Sequence, residues 1–386
     1  MTGDRSEKAR VALARAEAYD LETLKNRIRG CLEQLGRAEA FAGRRVLLKV
    51  NLNKGGPPEE AINTHPVFTR AVVQLVHEQG GRAAIGDSSA ILGFSDAVFE
   101  VAGMGEVCRQ EGAEAINFDA VTYACRRIDG EVLQEAFIPE TLGEFDLLVS
   151  LPKLKIHDLT IYSGALKNHL GLLPGATKCG VHVRAPHPER LAAAVVDLNE
   201  AVPFDLAIVD GVVGLEAGET PRAGGLVAAG TDFLALDTVC ARLVGLDPAE
   251  VPTLRIGRRR GLGEGDLERI EVVGETIEAL AQRFESKDRE LKRNPFIAKN
   301  VYRVRGSFLE VWMDRARCTE CGRCVEVCPT EAVDLANFRI RKEACIRCFS
   351  CHHNCPEGAI PLRCPWYLKP LFKKKAKGID LGAKLG

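Results

Sequence analysis

A chain of 386 residues with 46% hydrophobic side chains can hold a substantial core and more than one domain. Its 52 basic and 53 acidic residues nearly cancel, which argues against general nucleic-acid binding. The 14 cysteines would mean a disulfide framework in a short secreted chain, but eight of them fall into two tight runs near the C-terminus and the others are scattered.

Residues 11–15 read as a short strand. Over residues 21–35, Leu21, Leu24, Ile28, Cys31 and Leu35 recur at helical spacing, the pattern of an amphipathic helix. Residues 45–50 are a short run rich in Val and Leu, which favours a buried strand. Its end turns abruptly polar at Lys49, Asn51, Asn53 and Lys54 before Gly55, Gly56 and Pro57. Ligands of open α/β sheets bind beyond the carboxyl ends of strands, so this loop is a candidate wall of a site. A helix over 66–79 and a strand over 82–86, running into Asp87, Ser88 and Ser89, complete a right-handed βαβ unit. A helical crossover over 94–112, a strand at 115–117 and a central strand at 145–150 continue it. The fold class expected for residues 1–274 is therefore α/β, a mostly parallel sheet flanked by helices. No Gly-x-Gly-x-x-Gly stands between a strand and a helix, so nicotinamide binding is not favoured.

Just past the central strand, Pro152 aims Lys153, Lys155 and His157 into a mouth, and alternation keeps the three on one side if the segment stays extended. Gly164 and Ala165, before Lys167 and Asn168, open a helix against an anion. Together these residues make a cationic pocket suited to a carboxylate or phosphate; the plainer alternative is a solvated loop with ordinary surface lysines. Cys179, His182 and His187 would be metal ligands with His157 or His169, although their spacing matches no standard site. Residues 204–210 form a strand ending in Asp210. Glycines 211, 214, 218, 224 and 225 around Glu216 then predict a long flexible loop. Asp210 is an acid–base candidate because it ends a hydrophobic strand, and Glu216 shares that reading. Asp232 caps a helix over 233–245, with Asp237 one turn inside it and Gly245 at its end. Residues 270–274 read as an edge strand, and 275–310 as a charged connecting segment.

Cys318, Cys321, Cys324 and Cys328 precede Pro329, and Cys345, Cys348, Cys351 and Cys355 precede Pro356 with every offset repeated. Sulfurs at this spacing, closed by proline, wrap thiolates around a cubic iron–sulfur core. Zinc and disulfides are the competing readings, but zinc normally takes its ligands as two pairs. After each run a polar turn leads to an apolar pair, Ala332 with Val333 and Ala359 with Ile360, so each half reads as a ligand loop, a short helix and a strand. Residues 311–363 thus resemble the bacterial two-cluster (4Fe-4S) ferredoxins, an α+β domain. The resemblance implies two 4Fe-4S clusters in which the fourth cysteine of each run crosses over. The first would take Cys318, Cys321, Cys324 and Cys355, and the second Cys328, Cys345, Cys348 and Cys351. Such clusters fit a reducing cytosol. The first residues lack an apolar signal core and no apolar run approaches a membrane span, so a cytoplasmic chain without a transmembrane segment is expected. Cys364 reads as a packed or reactive thiol. Residues 364–386 form a basic tail whose aromatic and basic stretch, 366–375, suits an acidic partner or an anionic lipid surface, or else simply solubilises the end.

The remainder resembles the iron–sulfur-containing branch of the family called domain of unknown function 362. The marks are Tyr19 with Asp20, residues 48–51, Gly86 with Asp87 and Ser88, residues 152–157 and 164–168, Asp210 with Gly211, and Asp232 with Asp237. Departures are Val50, where proline is common, and Ala217, which separates Glu216 from Gly218. The resemblance points to Lys49, Asn51, Lys153, Lys155, His157, Lys167 and Asn168 as site residues and identifies no reaction. Combined with the clusters, and with no visible flavin or nicotinamide fingerprint in the α/β region, it implies an oxidoreductase or electron-transfer protein that works with a soluble electron donor or acceptor protein. The lysines would hold an anionic small molecule, and His157 or Asp210 would move a proton. A racemase or lyase with structural clusters, and an electron-carrying subunit without its own site, are the alternatives. No specific nucleic-acid partner is expected.

Overall fold

The computed structural model describes residues 8–157, 159–285, 296, 299–300, 303 and 309–365; the aromatic and basic tail lies outside the described residues. Strand β1 (Arg10–Arg15) leads to Asp20, whose carboxylate accepts the Thr23 N–H at 2.8 Å and starts helix α1 (Leu21–Gln34). The apolar stripe of that helix is buried at Leu24, Ile28 and Cys31. Strand β2 (Arg45–Lys49), helix α2 (Pro66–Glu78) and strand β3 (Arg82–Asp87) make the first βαβ unit. Expected as one helix, the next crossover is two, α3 (Ser95–Val101) and α4 (Met104–Glu111), because Gly103 takes a left-handed φ of 79° between them. Strand β4 (Glu114–Asn117) follows, and then a hairpin, β5 (Tyr123–Arg127) and β6 (Glu135–Pro139), that periodicity did not reveal.

The central strand β7 (Leu147–Ser150) is followed by β8 (Lys153–His157), β9 (Ile161–Ser163), α5 (Ala165–Asn168), α6 (Thr177–Arg184) and α7 (Pro188–Ala201). Then come β10 (Leu206–Glu216), β11 (Thr220–Gly230), α8 (Phe233–Leu243), α9 (Pro252–Arg260), β12 (Glu271–Gly274) and α10 (Ile277–Leu280). The sheet runs β12-β1-β11-β10-β7-β2-β3-β4, with β8 and β9 branching from β10. Every pairing from β10 to β4 is parallel, while β11 runs antiparallel to both β10 and β1. Alternate side chains enter opposite layers: Leu47 joins the core under α7 and α8, and Val46 and Leu48 the core under α1 and α2.

Residues 211–225, expected as a flexible loop, are instead the outer halves of β10 and β11, turned at Gly218 and Glu219 with φ of 87° and 62°. The glycines that suggested looseness serve close approach: a Cβ on Gly224 would overlap the Gly211 carbonyl oxygen. The first part of the expected connecting segment packs on this unit, where Gln282 donates to Leu243 O and Phe284 to Val244 O.

The C-terminal module contains β13 (Glu310–Val311), α11 (Arg323–Glu326), β14 (Val333–Asp334), β15 (Arg339–Ile340), α12 (Ser350–His353) and β16 (Leu362–Arg363). Its halves repeat their backbone as well as their cysteines. Glu320 and Arg347 share a φ near 55°, and Gly322 and Phe349 are both left-handed, at 81° and 71°. Phe349 thus occupies a conformation that glycine adopts without strain. Its ring is buried in the core of the α/β unit with Leu309, Leu362 and Cys364, which anchors the second half of the module there. Among the described residues no helix is long and apolar enough to cross a membrane.

Candidate functional site

Cys318, Cys321, Cys324 and Cys355 line one small cavity, and Cys328, Cys345, Cys348 and Cys351 line another. The closing cysteine of each run therefore joins the first three of the other. Four cysteines around a common void suit an inorganic iron–sulfur core. The Ala332 N–H donates to Cys328 Sγ and the Ala359 N–H to Cys355 Sγ, each at 3.1 Å, an arrangement that favours thiolate. Burial pushes the Cys348 thiol up to about 11, so a cationic core is what would hold it deprotonated. The two sets differ in exposure: Cys321 is exposed, whereas Cys348 and Cys351 are buried.

At the carboxyl ends of β2, β3 and β7 lies a cleft of about 160 Å³, lined by Asn51, Asp87, Lys155, His157, Lys167 and Asn168 among others. Lys49 is fully buried beneath it, donating to Asp87 Oδ1 at 2.9 Å, Asn168 Oδ1 at 3.1 Å and Val50 O at 3.1 Å. Asp87 also accepts the Leu52 and Ser88 N–H groups at 2.7 and 2.8 Å. Gly171 lies directly over this pair; a Cβ there would overlap Asp87 Oδ1 and press on Lys49 Nζ, so the close approach requires glycine. Asn168 donates to Ser150 Oγ at 2.9 Å and accepts from Asn51 Nδ2 at 3.3 Å, and Asn51 Oδ1 in turn accepts from Lys155 Nζ. Burial, with Lys167 and Lys153 nearby, lowers Lys155 to about 7, and burial lowers Lys167 to about 8. Amines so placed gain most from an anion between them. His157 Nδ1 accepts the Leu159 and Thr160 N–H groups at 3.1 Å, which leaves the ring proton of the neutral form on Nε2.

Other expected site residues stand elsewhere. Lys153 and Asp210 form a buried ion pair at 2.8 Å and do not line the cleft. Asp210 also accepts from the Tyr19 hydroxyl at 3.0 Å and the His65 N–H at 2.9 Å, and the Tyr19 ring stacks on His65. Both lysines lie in β8, but the β8–β10 register shifts between them: Lys153 pairs with Asp210 and Lys155 with Leu215. Helix α5 is a single turn, and its Ala165 and Leu166 N–H groups are taken by the Asp237 carboxylate at 2.7 and 2.9 Å. The anion expected at that helix start is thus the protein's own side chain. Glu216 accepts the Glu285 N–H at 3.1 Å. His169 is buried against Val202 O, and His187 stands exposed before α7, so neither joins Cys179 and His182, which do line the cleft. Sequence reasoning missed Asp87 and Lys178 as site residues. Asp87 carried a signal, since it ends β3 as Lys49 ends the adjacent β2. Lys178 carried none; its position is fixed by donation to Ser88 O and Ser89 O, each at 2.8 Å.

The segment that enters α6 joins the cleft to the second cysteine set. Ala176 donates to Arg347 O at 3.1 Å, and a Cβ on Gly175 would press on the carbonyl oxygens of Arg347 and Cys348. Ser350 Oγ donates to Val121 O at 3.0 Å and Asn354 Nδ2 to Ala120 O at 2.6 Å. Lys178, Cys179 and His182, one turn further along the same segment, are cleft wall.

The family described as domain of unknown function (DUF362) matches residues 46–242, and a 4Fe-4S dicluster domain matches residues 310–356. The chain is 34% identical over 259 residues to a thylakoid-associated protein of Synechocystis sp., a match that spans 65% of this chain and 79% of that protein. It also aligns with the lactate racemase apoprotein from Thermoanaerobacterium thermosaccharolyticum at a TM-score of 0.40 and 13% identity, over 62% of this chain and 58% of that one.

Proposed function

Because this chain belongs to the family called domain of unknown function 362 and carries a 4Fe-4S dicluster domain, we propose that it is an iron–sulfur oxidoreductase that exchanges electrons between a soluble carrier protein and a small organic anion held in the cleft. Cys318, Cys321, Cys324 and Cys355 hold one 4Fe-4S cluster and Cys328, Cys345, Cys348 and Cys351 the other. When bound, these groups supply electrons singly. Lys155 and Lys167 bind the carboxylate or phosphate of the substrate. Asn51 and Asn168 orient Lys155, Lys49 and Asp87 hold the floor beneath, and His157 gives or takes a proton at Nε2.

The observation that carries this reading is the continuity of the Gly175-to-His182 segment, hydrogen-bonded at one end to the loop of the second cysteine set and forming cleft wall at the other. A module that merely stabilised the chain would need no such path. The test is anaerobic: the reduced protein is mixed with candidate organic anions and reoxidation is followed by absorbance. Reoxidation that depends on one anion and is lost in Lys155→Ala supports the reading; none with any anion rejects it.

A second reading, an acid–base enzyme such as a racemase or lyase with structural clusters, is favoured by Lys155, held at about 7 and so suited to proton transfer at neutral pH, on the cleft wall it shares with His157. Turnover that persists in the oxidised protein without any electron carrier supports that reading over the first. In either case a reducing cytoplasm is the compartment we assign, since exposed thiolate ligands persist there.

A further inference from the structure

A larger cavity, about 450 Å³, lies between the β5–β6 hairpin, helix α6 and the loop that carries Cys345. We propose that it binds a flavin mononucleotide, placed between the second cysteine set and the cleft. Its role as an electron adaptor rests on the oxidoreductase reading, whereas the site itself rests on the cavity.

Size comes first. Cofactor-sized sites span about 300–1,000 Å³, and this cavity falls in that range. The lining then matches a flat apolar body with an anionic tail. Leu133, Phe137, Leu173 and Val181 provide apolar wall, and Arg184 and Arg347 are on the lining with Glu135, arginine being the side chain best shaped to fork a phosphate.

Gly180 adds an independent observation. It sits inside α6 and lines the cavity, where a Cβ would meet no atom of the described residues within 4 Å. Glycine in a helix interior costs about 0.5–1 kcal/mol relative to alanine, and no neighbour among the described residues requires it here. A ligand lying flat against the helix would.

Position supplies the role. One side of the cavity is Cys345, Ile346 and Arg347; the other includes Cys179, which also lines the cleft. Clusters carry electrons one at a time, while oxidation or reduction of an organic anion moves a pair, so a carrier that accepts them singly and releases them together belongs between the two. The balance is two electrons, drawn one by one from the reduced carrier protein, and two protons from water for each flavin reduced. The same two electrons and two protons then leave with the substrate.

The test is binding, read without turnover. The full chain, with its clusters reconstituted anaerobically, is titrated with flavin mononucleotide and followed by quenching of flavin fluorescence and by equilibrium dialysis. Wild type is expected to bind one flavin per chain. Gly180→Trp, which fills the cavity, and Arg184→Glu, which reverses an exposed charge, should each weaken binding about tenfold or more with iron content and circular dichroism unchanged. Arg184 is exposed, so its variant keeps the test valid if Gly180→Trp does not fold. No binding by wild type overturns the site, as does binding that survives Arg184→Glu in a folded chain but is lost in Lys155→Ala, which would put the flavin in the cleft. Flavin bound as expected, with no anion-dependent reoxidation, would reject the oxidoreductase reading and keep the site.

Discussion

Cys328 and Cys355 exchange cavities: each closes its own run in the sequence, and each lines the void formed by the other run. Neither set is complete without a residue from the opposite half, which ties the two halves into one unit despite a small apolar interior. Anaerobic preparations should hold about eight iron and eight sulfide per chain if two cubic clusters are bound. Cys328→Ala should remove or alter the second cluster while leaving the first. Four irons in the fully reconstituted wild type, or a Cys328→Ala spectrum altered only at the first cluster, would reject the crossed assignment. Electron paramagnetic resonance of the fully reduced wild type should show interacting rather than independent spins.

Lys155 gives the cleft a pH signature. Its folded value, about 7, lies well below the value of about 10.4 for a free lysine. Between these limits the unfolded chain binds a proton that the folded chain does not, so stability rises with pH across this window. Below about 7 both states are charged and the burial penalty is felt in full. Anion binding runs the other way, since it needs the charged amine: affinity should fall as pH rises through 7. Denaturation curves and anion titrations from pH 6 to 9 check both slopes, and Lys155→Met should flatten them together. A stability slope retained in Lys155→Met would assign the titration to another group, with Lys167, at about 8, the first to examine.

The parallel strands and their helices were legible because burial on both faces leaves continuous apolar runs, as at residues 45–50 and 204–210. The cysteine sets were legible because their spacing is itself the chemistry. What the sequence hid were relationships between segments far apart. Glycines 211 and 224 read as looseness until the two strands were seen to touch at them. Lys153 read as a cleft residue like Lys155 until its buried pairing with Asp210 was seen. Lys178 had no local signal, since its partners, Ser88 and Ser89, are ninety residues away.

Gly175 tests the path between the second cysteine set and the cleft. With a left-handed φ of 38° and no room beside Arg347 O and Cys348 O, alanine there must push the cysteine loop and α6 apart. Gly175→Ala should cost about 1–3 kcal/mol, the range for an overpacked site. It should also change the spectrum of the second cluster and weaken anion binding in the cleft, with the first cluster unaffected. Gly180→Ala is the control on the same segment: with none of the described residues within 4 Å, it should stabilise by about 0.5–1 kcal/mol. If Gly175→Ala lowers stability but leaves both the second cluster and the cleft unchanged, the two are not coupled through this segment.

The Lys153–Asp210 pair separates support from chemistry. Both side chains are fully shielded from solvent, and the carboxylate also holds the Tyr19 hydroxyl and the His65 N–H. Removing one member of such a pair leaves a buried charge without its counterion, which typically costs about 3–5 kcal/mol. Asp210→Asn should therefore lower the melting temperature markedly, because the neutral amide cannot balance Lys153. At temperatures where the variant is folded its affinity for the anion should change little, since neither residue reaches the cleft. Lys155→Ala should show the converse, with affinity lost and stability kept or raised, because it relieves a buried charge that has no carboxylate within salt-bridge distance among the described residues. Thermal melts and anion titrations on the two variants distinguish these outcomes. An Asp210→Asn protein as stable as wild type, with anion binding intact and turnover abolished, would instead restore Asp210 as the group that moves the proton.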